Sequence, residues 1–275
     1  MREMTTKEVQ QVCLELLKDV HEFCVENGIH YSLSGGSLIG AIRHNGFIPW
    51  DDDADIQMPR PDFDKFINTY KSKHGFQLYA REKARGEIIY SRIAKVFEME
   101  KTFVDQKAET VIGKDVGLWI DIIPVEGAPD NREQAARYIK ELTMREQLVS
   151  CLSTSKAEWT DIRKFSSKLE KIKFVIKKVL GIFIPNSYVD GYIMFAKKYD
   201  YESSDFFYAT PHYGVNEWQP KENMEGYILH QFEDTKLYIM SGYDANLRSL
   251  FGDYMQIPPK EKRIIHEIYK KYWRE

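Results

Sequence analysis

The chain has 275 residues, 43% hydrophobic and 13% aromatic, enough for a substantial core in one large or two small domains. Its 39 Lys and Arg against 42 Asp and Glu leave a formal charge of -3, so no global field recommends nucleic acid as a partner. Cys13, Cys24 and Cys151 contain no CxxC, which argues against a disulfide framework or a thiolate zinc site; with neither a signal-like apolar run nor a membrane-spanning stretch, a cytoplasmic chain is expected.

From the N-terminus, Thr5 and Glu8 form a capping box, and Val9, Val12, Cys13, Leu16, Leu17, Val20, Phe23 and Cys24 recur at helical spacing up to Gly28. "IHYSLSGGS" reads as a short strand running into Gly35 and Gly36, and "SLIGAIRHNG" as a short helix stopped by Asn45 and Gly46. The glycines therefore sit at a strand-to-helix turn. "DADIQM" is the next strand, and Pro61 opens a helix with Phe63, Phe66, Ile67 and Tyr70 on one face. Two more strands, "IIYSRIAKVFE" and "GLWIDIIPVE", follow. From Asp130 the pattern turns mostly helical, returning to strand near "EGYILHQF" and "KLYIMSG". The expected fold is α+β: a mixed-sheet core over 1–129 and a mainly helical region, 130–275, packed on it as one compact unit, with no repeat or linker to separate them.

The chemistry concentrates in "PWDDDADIQM". Asp51, Asp52, Asp53 and Asp55 lie within five residues, where like charges repel unless a cation compensates. On a strand, residues two apart share a face, so Asp53 and Asp55 are expected to project together while Ala54 and Ile56 face the core. Paired carboxylates without sulfur or imidazole suit Mg²⁺ or Mn²⁺. Asp121 interrupts an apolar strand, where an unpaired carboxylate is costly to bury, and is expected to face the same cation. An EF-hand loop from Asp51 is excluded, because Ile56 and Asp62 stand where Gly and Glu are required. A DxD-type glycosyltransferase would carry a nucleotide-binding half before the motif, and few residues precede it here. A solvated acidic loop is the ordinary alternative.

These residues also carry a likeness. "GGSLIGAIRHNGFIPWDDDADIQMPR" resembles the signature of the LicD family of phosphotransferases, within the nucleotidyltransferase-fold superfamily, and "GYDANLRSLFGDYMQIPPKEKRIIH", residues 242–266, resembles the family's C-terminal portion. The superfamily pattern is a Gly-Gly/Ser turn, a DxD strand and a later strand acid, places filled by Gly36 and Ser37, by Asp53 and Asp55, and by Asp121. The resemblance implies a nucleotidyltransferase-like core and transfer of phosphocholine or a polyol phosphate from a CDP-activated donor, CDP-choline or a CDP-polyol, to a hydroxyl of a cell-surface glycan such as teichoic acid or lipopolysaccharide, with CMP released. A nucleotidylyltransferase, or an inactive homologue that only binds nucleotide, is the competing reading.

The residue types permit that chemistry. Asp53 and Asp55 can hold Mg²⁺ against a diphosphate, Gly35 and Gly36 allow close backbone approach, and amides at the start of the Ser37 helix can donate to phosphate oxygens. Asp121 is a candidate general base or a further metal ligand. Arg43 and Lys95 are candidate phosphate-binding cations, each equally readable as a structural ion pair. Trp50, Trp119 and the tyrosines can form a cage for a quaternary ammonium or simply pack, and His44 reads as structural. Finally, in residues 164–184, "KFSSKLEKIKFVIKKVLGIFI", Phe165, Leu169, Ile172, Ile176, Val179 and Phe183 form one stripe beside Lys164, Lys168, Lys171, Lys173, Lys177 and Lys178. The stripe is the ordinary mark of a core-packed helix; the lysines raise the alternative of peripheral contact with the inner face of an anionic membrane, where a lipid-linked glycan would be met.

Overall fold

The computed structural model describes residues 1–83, 90–105, 115–263 and 270–274. Strand β1 (Arg2–Glu3) leads into α1 (Thr6–Asn27), whose reciprocal Thr5–Glu8 capping box satisfies two N-terminal amides and whose C-terminus closes on Gly28 at φ 59°. After β2 (Ser32–Leu33) come α2 (Gly35–His44), capped by Asn45 in the left-handed region, β3 (Asp55–Pro59) and α3 (Arg60–Thr69), with Pro61 in its first turn. Strands β4 (Gln77–Tyr79), β5 (Ala94–Glu98), β6 (Thr102–Asp105) and β7 (Leu118–Ala128) complete the first half. Residues 88 and 89 of the strand expected at "IIYSRIAKVFE" lie outside the described residues, as do residues 264–266 of the family-like C-terminal block.

The main sheet has the order β2-β3-β7-β5-β4. β3 and β7 run parallel and the other pairs antiparallel, so the sheet is mixed and the fold is α+β as expected. Along β7 the first four residues alternate, with Leu118 and Ile120 buried and Trp119 and Asp121 half-buried. One sheet face is thus apolar there, and α1 covers it, packing on β5 and β7. Beyond Ile122 both faces of β7 are buried, and its far end pairs with β8 (Phe206–Tyr208), which in turn pairs with β9 (Gln219–Pro220).

The second half is less helical than its pattern suggests. It holds α4 (Arg132–Lys156), α5 (Lys168–Ile182), α6 (Tyr188–Ala196) and α7 (Tyr243–Phe251), but also β8, β9, the hairpin β10 (Tyr227–Phe232) and β11 (Thr235–Met240), and β12 (Lys270–Trp273). β12 sits between β1 and β6 in a separate antiparallel sheet, tying the two chain ends together. The hairpin docks on the main sheet through a hydrogen bond from the Met240 amide to the Ser32 hydroxyl, 2.8 Å. Two apolar cores result. The larger joins α1, the main sheet and the hairpin; the smaller gathers Tyr138, Ile139, Leu142, Leu152, Tyr192, Ile193 and Tyr208 from α4, α6 and β8. At the far end of β7, buried Glu126 accepts from Arg60, 2.9 Å, and from Arg92, 3.5 Å, so its carboxylate is compensated beside the smaller core.

Candidate functional site

The glycine turn and the acidic run meet at the start of β3. Register places Asp55 on β3 opposite Asp121 on β7, and Asp121 opposite Lys95 on β5. Residues directly opposite on neighbouring strands share a face. Asp55, Asp121 and Lys95 therefore form one row across three strands, on the face away from α1. The Lys95 ammonium is ion-paired with the Asp121 carboxylate and stands 4.8 Å from the centroid of the Trp119 ring.

Asp53 does not lie on the strand. β3 begins at Asp55, and Asp53 approaches it in the extended segment just before, with Ala54 and Ile56 buried behind them. The segment is held by paired backbone: the Ser34 amide donates to the Asp55 carbonyl and the Asp121 amide to the Ala54 carbonyl, both 3.0 Å. Burial raises the Asp55 carboxyl well above its ordinary value, the charges of Asp53, Asp121 and Asp51 push it the same way, and Lys95 opposes them.

The run of four aspartates divides by role. Asp52 is buried, ion-paired with Lys271 of β12, whose ammonium also donates to the Asp52 carbonyl at 2.5 Å. Asp51 is placed by Gln10, which donates to its carbonyl at 2.8 Å and to that of Ile48 at 3.0 Å. Its carboxylate lies over the glycine turn, so close that a Cβ on Gly36 would stand 2.6 Å from Oδ2. Gly35 has φ 50°, which favours glycine, and faces Asp55 Oδ2 at 3.8 Å from where its Cβ would be. Ser37 Oγ accepts from the Asp55 amide at 3.0 Å, fastening the first turn of α2 to β3. Ser34 caps α2 without a side-chain bond, and its first turn holds no acidic residue.

Other expected site residues are engaged elsewhere. The Arg43 guanidinium donates to the carbonyls of Tyr254, 2.6 Å, and Gln256, 3.3 Å, anchoring the segment after α7. Burial lowers its pKa. Tyr254 is a core residue whose hydroxyl donates to Asp244 at 2.7 Å. Trp50 lies under the Arg263 guanidinium at 4.1 Å and meets His44 edge-on, so it is packed rather than part of an aromatic cage. Lys271 was not foreseen as the partner of the acidic run, since some 220 residues separate it from Asp52 and nothing local signals the pairing.

The fit to a divalent cation follows from the donor set. Asp53 and Asp55 offer hard oxygen ligands and no sulfur or imidazole, the set suited to Mg²⁺ or Mn²⁺. Among the described residues no group of three or more His, Cys, Asp or Glu side chains is placed to hold a metal ion, so Asp121 does not complete a three-acid site with Asp53 and Asp55. Mg²⁺ bound against substrate phosphates commonly takes only one or two carboxylates.

Residues 28–108 match the family described as LicD/FKTN/FKRP, nucleotidyltransferase domain. That span holds the glycine turn, Asp53, Asp55 and Lys95, while Asp121 lies just beyond it. The lipopolysaccharide cholinephosphotransferase LicD of Haemophilus influenzae is 30% identical over 279 aligned residues, covering 99% of both chains. The human ribitol 5-phosphate transferase FKRP is 44% identical over 48 residues, 16% of this chain and 10% of its own. An uncharacterized protein of Rickettsia prowazekii is 48% identical over 48 residues, 18% of each.

Proposed function

The chain belongs to the LicD family and is a LicD-type transferase, and from that premise we propose that it moves a substituted phosphate, phosphocholine or a polyol phosphate, from a CDP-activated donor to a hydroxyl of a cell-surface glycan, releasing CMP. The acceptor class follows the lipopolysaccharide named for the Haemophilus relative. The observation that carries the reading is the row Asp55–Asp121–Lys95 laid beneath the glycine turn, with Asp53 beside it.

In such a transfer the acceptor oxygen attacks the phosphorus that bears the head group. The bond from that phosphorus to the bridging oxygen breaks, and CMP departs with the electron pair. Asp53 and Asp55 would hold a Mg²⁺ or Mn²⁺, which when bound would neutralise charge on the diphosphate. The amides at the start of α2, opened by Gly35 and Gly36, point donors toward an anion, and the Ser37 hydroxyl, which already accepts from Asp55, keeps its own proton to donate. Asp121 takes the acceptor proton, with Lys95 fixing the direction of its carboxylate. Arg43, occupied with the Tyr254 and Gln256 carbonyls, anchors the scaffold instead of the phosphate.

A thermal-shift screen of CDP-choline, CDP-glycerol and CDP-ribitol tests the donor class. One of the three should raise Tm with Mg²⁺ and not with chelator, because a ligand at about 100 Kd adds about 2.7 kcal/mol. No shift with any of them would remove the CDP-donor reading.

A further inference from the structure

The sequence of α5 admits a core-packed helix, and the structure shows the reverse orientation. The side chains buried against α4 are Phe174 and Lys178, with Gly181 allowing the close approach to the Cys151 carbonyl. At about 100° per residue, Leu169, Ile172, Ile176, Val179, Leu180 and Phe183 fall within an arc of roughly 100° on the opposite side. All six are exposed, from 44% for Val179 to 81% for Phe183. An apolar ridge this long, left in water, is far from the single exposed aliphatic residues that need no explanation.

The flanking charges indicate what covers it. Lys168 borders one edge of the ridge and Lys173 the other, both exposed. The remaining lysines contribute less than the sequence suggests. Lys178 donates to the carbonyls of Ser155, 3.1 Å, and Ala157, Lys177 bonds the Ser150 hydroxyl at 3.0 Å, and Lys164 pairs with Asp105 at 2.8 Å. A convex apolar ridge bordered on both sides by lysines matches a plane of acyl chains beneath anionic headgroups, where the lysine stems lie along the apolar layer and their ammonium groups reach the phosphates. No described helix is long and apolar enough to cross a membrane.

We propose that the exposed ridge Leu169–Ile172–Ile176–Val179–Leu180–Phe183 of α5 docks on the surface of an anionic lipid bilayer, its side chains inserted and Lys168 and Lys173 at headgroup level. The docking is driven mainly by apolar insertion and only secondarily by charge, since the outward lysines are few. The surface is independent of the transfer reading: vesicles carry neither donor nor acceptor, so failure of one leaves the other standing.

The test is flotation of the full chain with vesicles of phosphatidylcholine, alone or mixed with phosphatidylglycerol, at low and high salt. Wild type should float with the mixed vesicles, more weakly with phosphatidylcholine alone. Ile172→Glu/Ile176→Glu, at exposed positions that leave Tm unchanged, should lower the partition coefficient at least ~tenfold. Lys168→Gln/Lys173→Gln should retain binding but lose most of its dependence on anionic lipid. Failure of wild type to float with mixed vesicles at low salt, or equal flotation of the double glutamate variant, overturns the proposal. So does a wild-type dimer in sedimentation that dissociates in the glutamate variant without any vesicle binding, which would assign the ridge to a second copy of the chain.

Discussion

Of the four clustered aspartates, Asp52 is assigned to the scaffold and the others to the site, and the Asp52–Lys271 pair makes that division measurable. Both side chains are only 9–10% exposed, and the ammonium also holds the Asp52 carbonyl, so the pair closes β12 against the loop before β3. Lys271→Met removes a buried ammonium that is both ion-paired and hydrogen-bonded to Asp52, and breaking a buried pair from one side costs ~3–5 kcal/mol. For a chain of this size that is a fall in Tm of roughly 6–20 °C. The double variant Asp52→Asn/Lys271→Met removes both charges and should recover part of the loss, giving a coupling energy above ~1.5 kcal/mol in a double-mutant cycle. The assay is urea unfolding of the four proteins, followed by CMP release at a temperature where all are folded. A coupling below ~0.5 kcal/mol, or an Asp52→Asn protein of unchanged stability that has lost turnover, would refute the division.

Asp55→Asn should raise Tm in the absence of metal at neutral pH and not near pH 3: the folded carboxyl is raised above its ordinary value of 3.8, so its stability contribution is complete below that value and is lost as pH rises through the folded one. Equal Tm for wild type and variant across the range would contradict the crowding. Glu217 behaves alike, since burial pushes its carboxyl up to about 7 although Thr210 donates to it at 2.6 Å. Glu217→Gln should therefore be neutral near pH ~4 and stabilising above pH ~8, as read from Tm against pH. Asp121→Asn should cut single-turnover transfer by ~10²–10⁴ while Mg²⁺-dependent donor binding, followed by calorimetry, survives. Loss of donor binding would make Asp121 chiefly a ligand, and an unchanged rate would exclude it from the site.

The elements legible from sequence are those whose cause is local. The Thr5–Glu8 box and Gly28 bound α1, Asn45 stops α2, and Pro61 lies in the first turn of α3. The strand order is not local, and it is what sets Asp55, Asp121 and Lys95 in a row: Lys95 was named as a cation, but its pairing with Asp121 depends on β5 lying beside β7. The hairpin β10–β11 is legible in the sequence, whereas β8, β9 and β12 are short, two to four residues, and β12 gains its place only by pairing with β1 and β6 from the other end of the chain. α5 shows the opposite limit. Its period is correctly helical, yet period alone does not tell which face is buried, and here Gly181 and Phe174 decide the packing against α4.

The central claim is that Asp53 and Asp55 form the metal-binding centre of a CDP-dependent transfer. It is tested most directly by measuring CMP release from CDP-choline, CDP-glycerol and CDP-ribitol with a glycan acceptor, with and without Mg²⁺, in wild type, Asp53→Ala and Asp55→Ala. The account predicts Mg²⁺-dependent release by wild type from one donor, a loss of at least ~10³ in each variant, and no decrease in Tm for either. Undiminished, metal-independent release by either folded variant would contradict it.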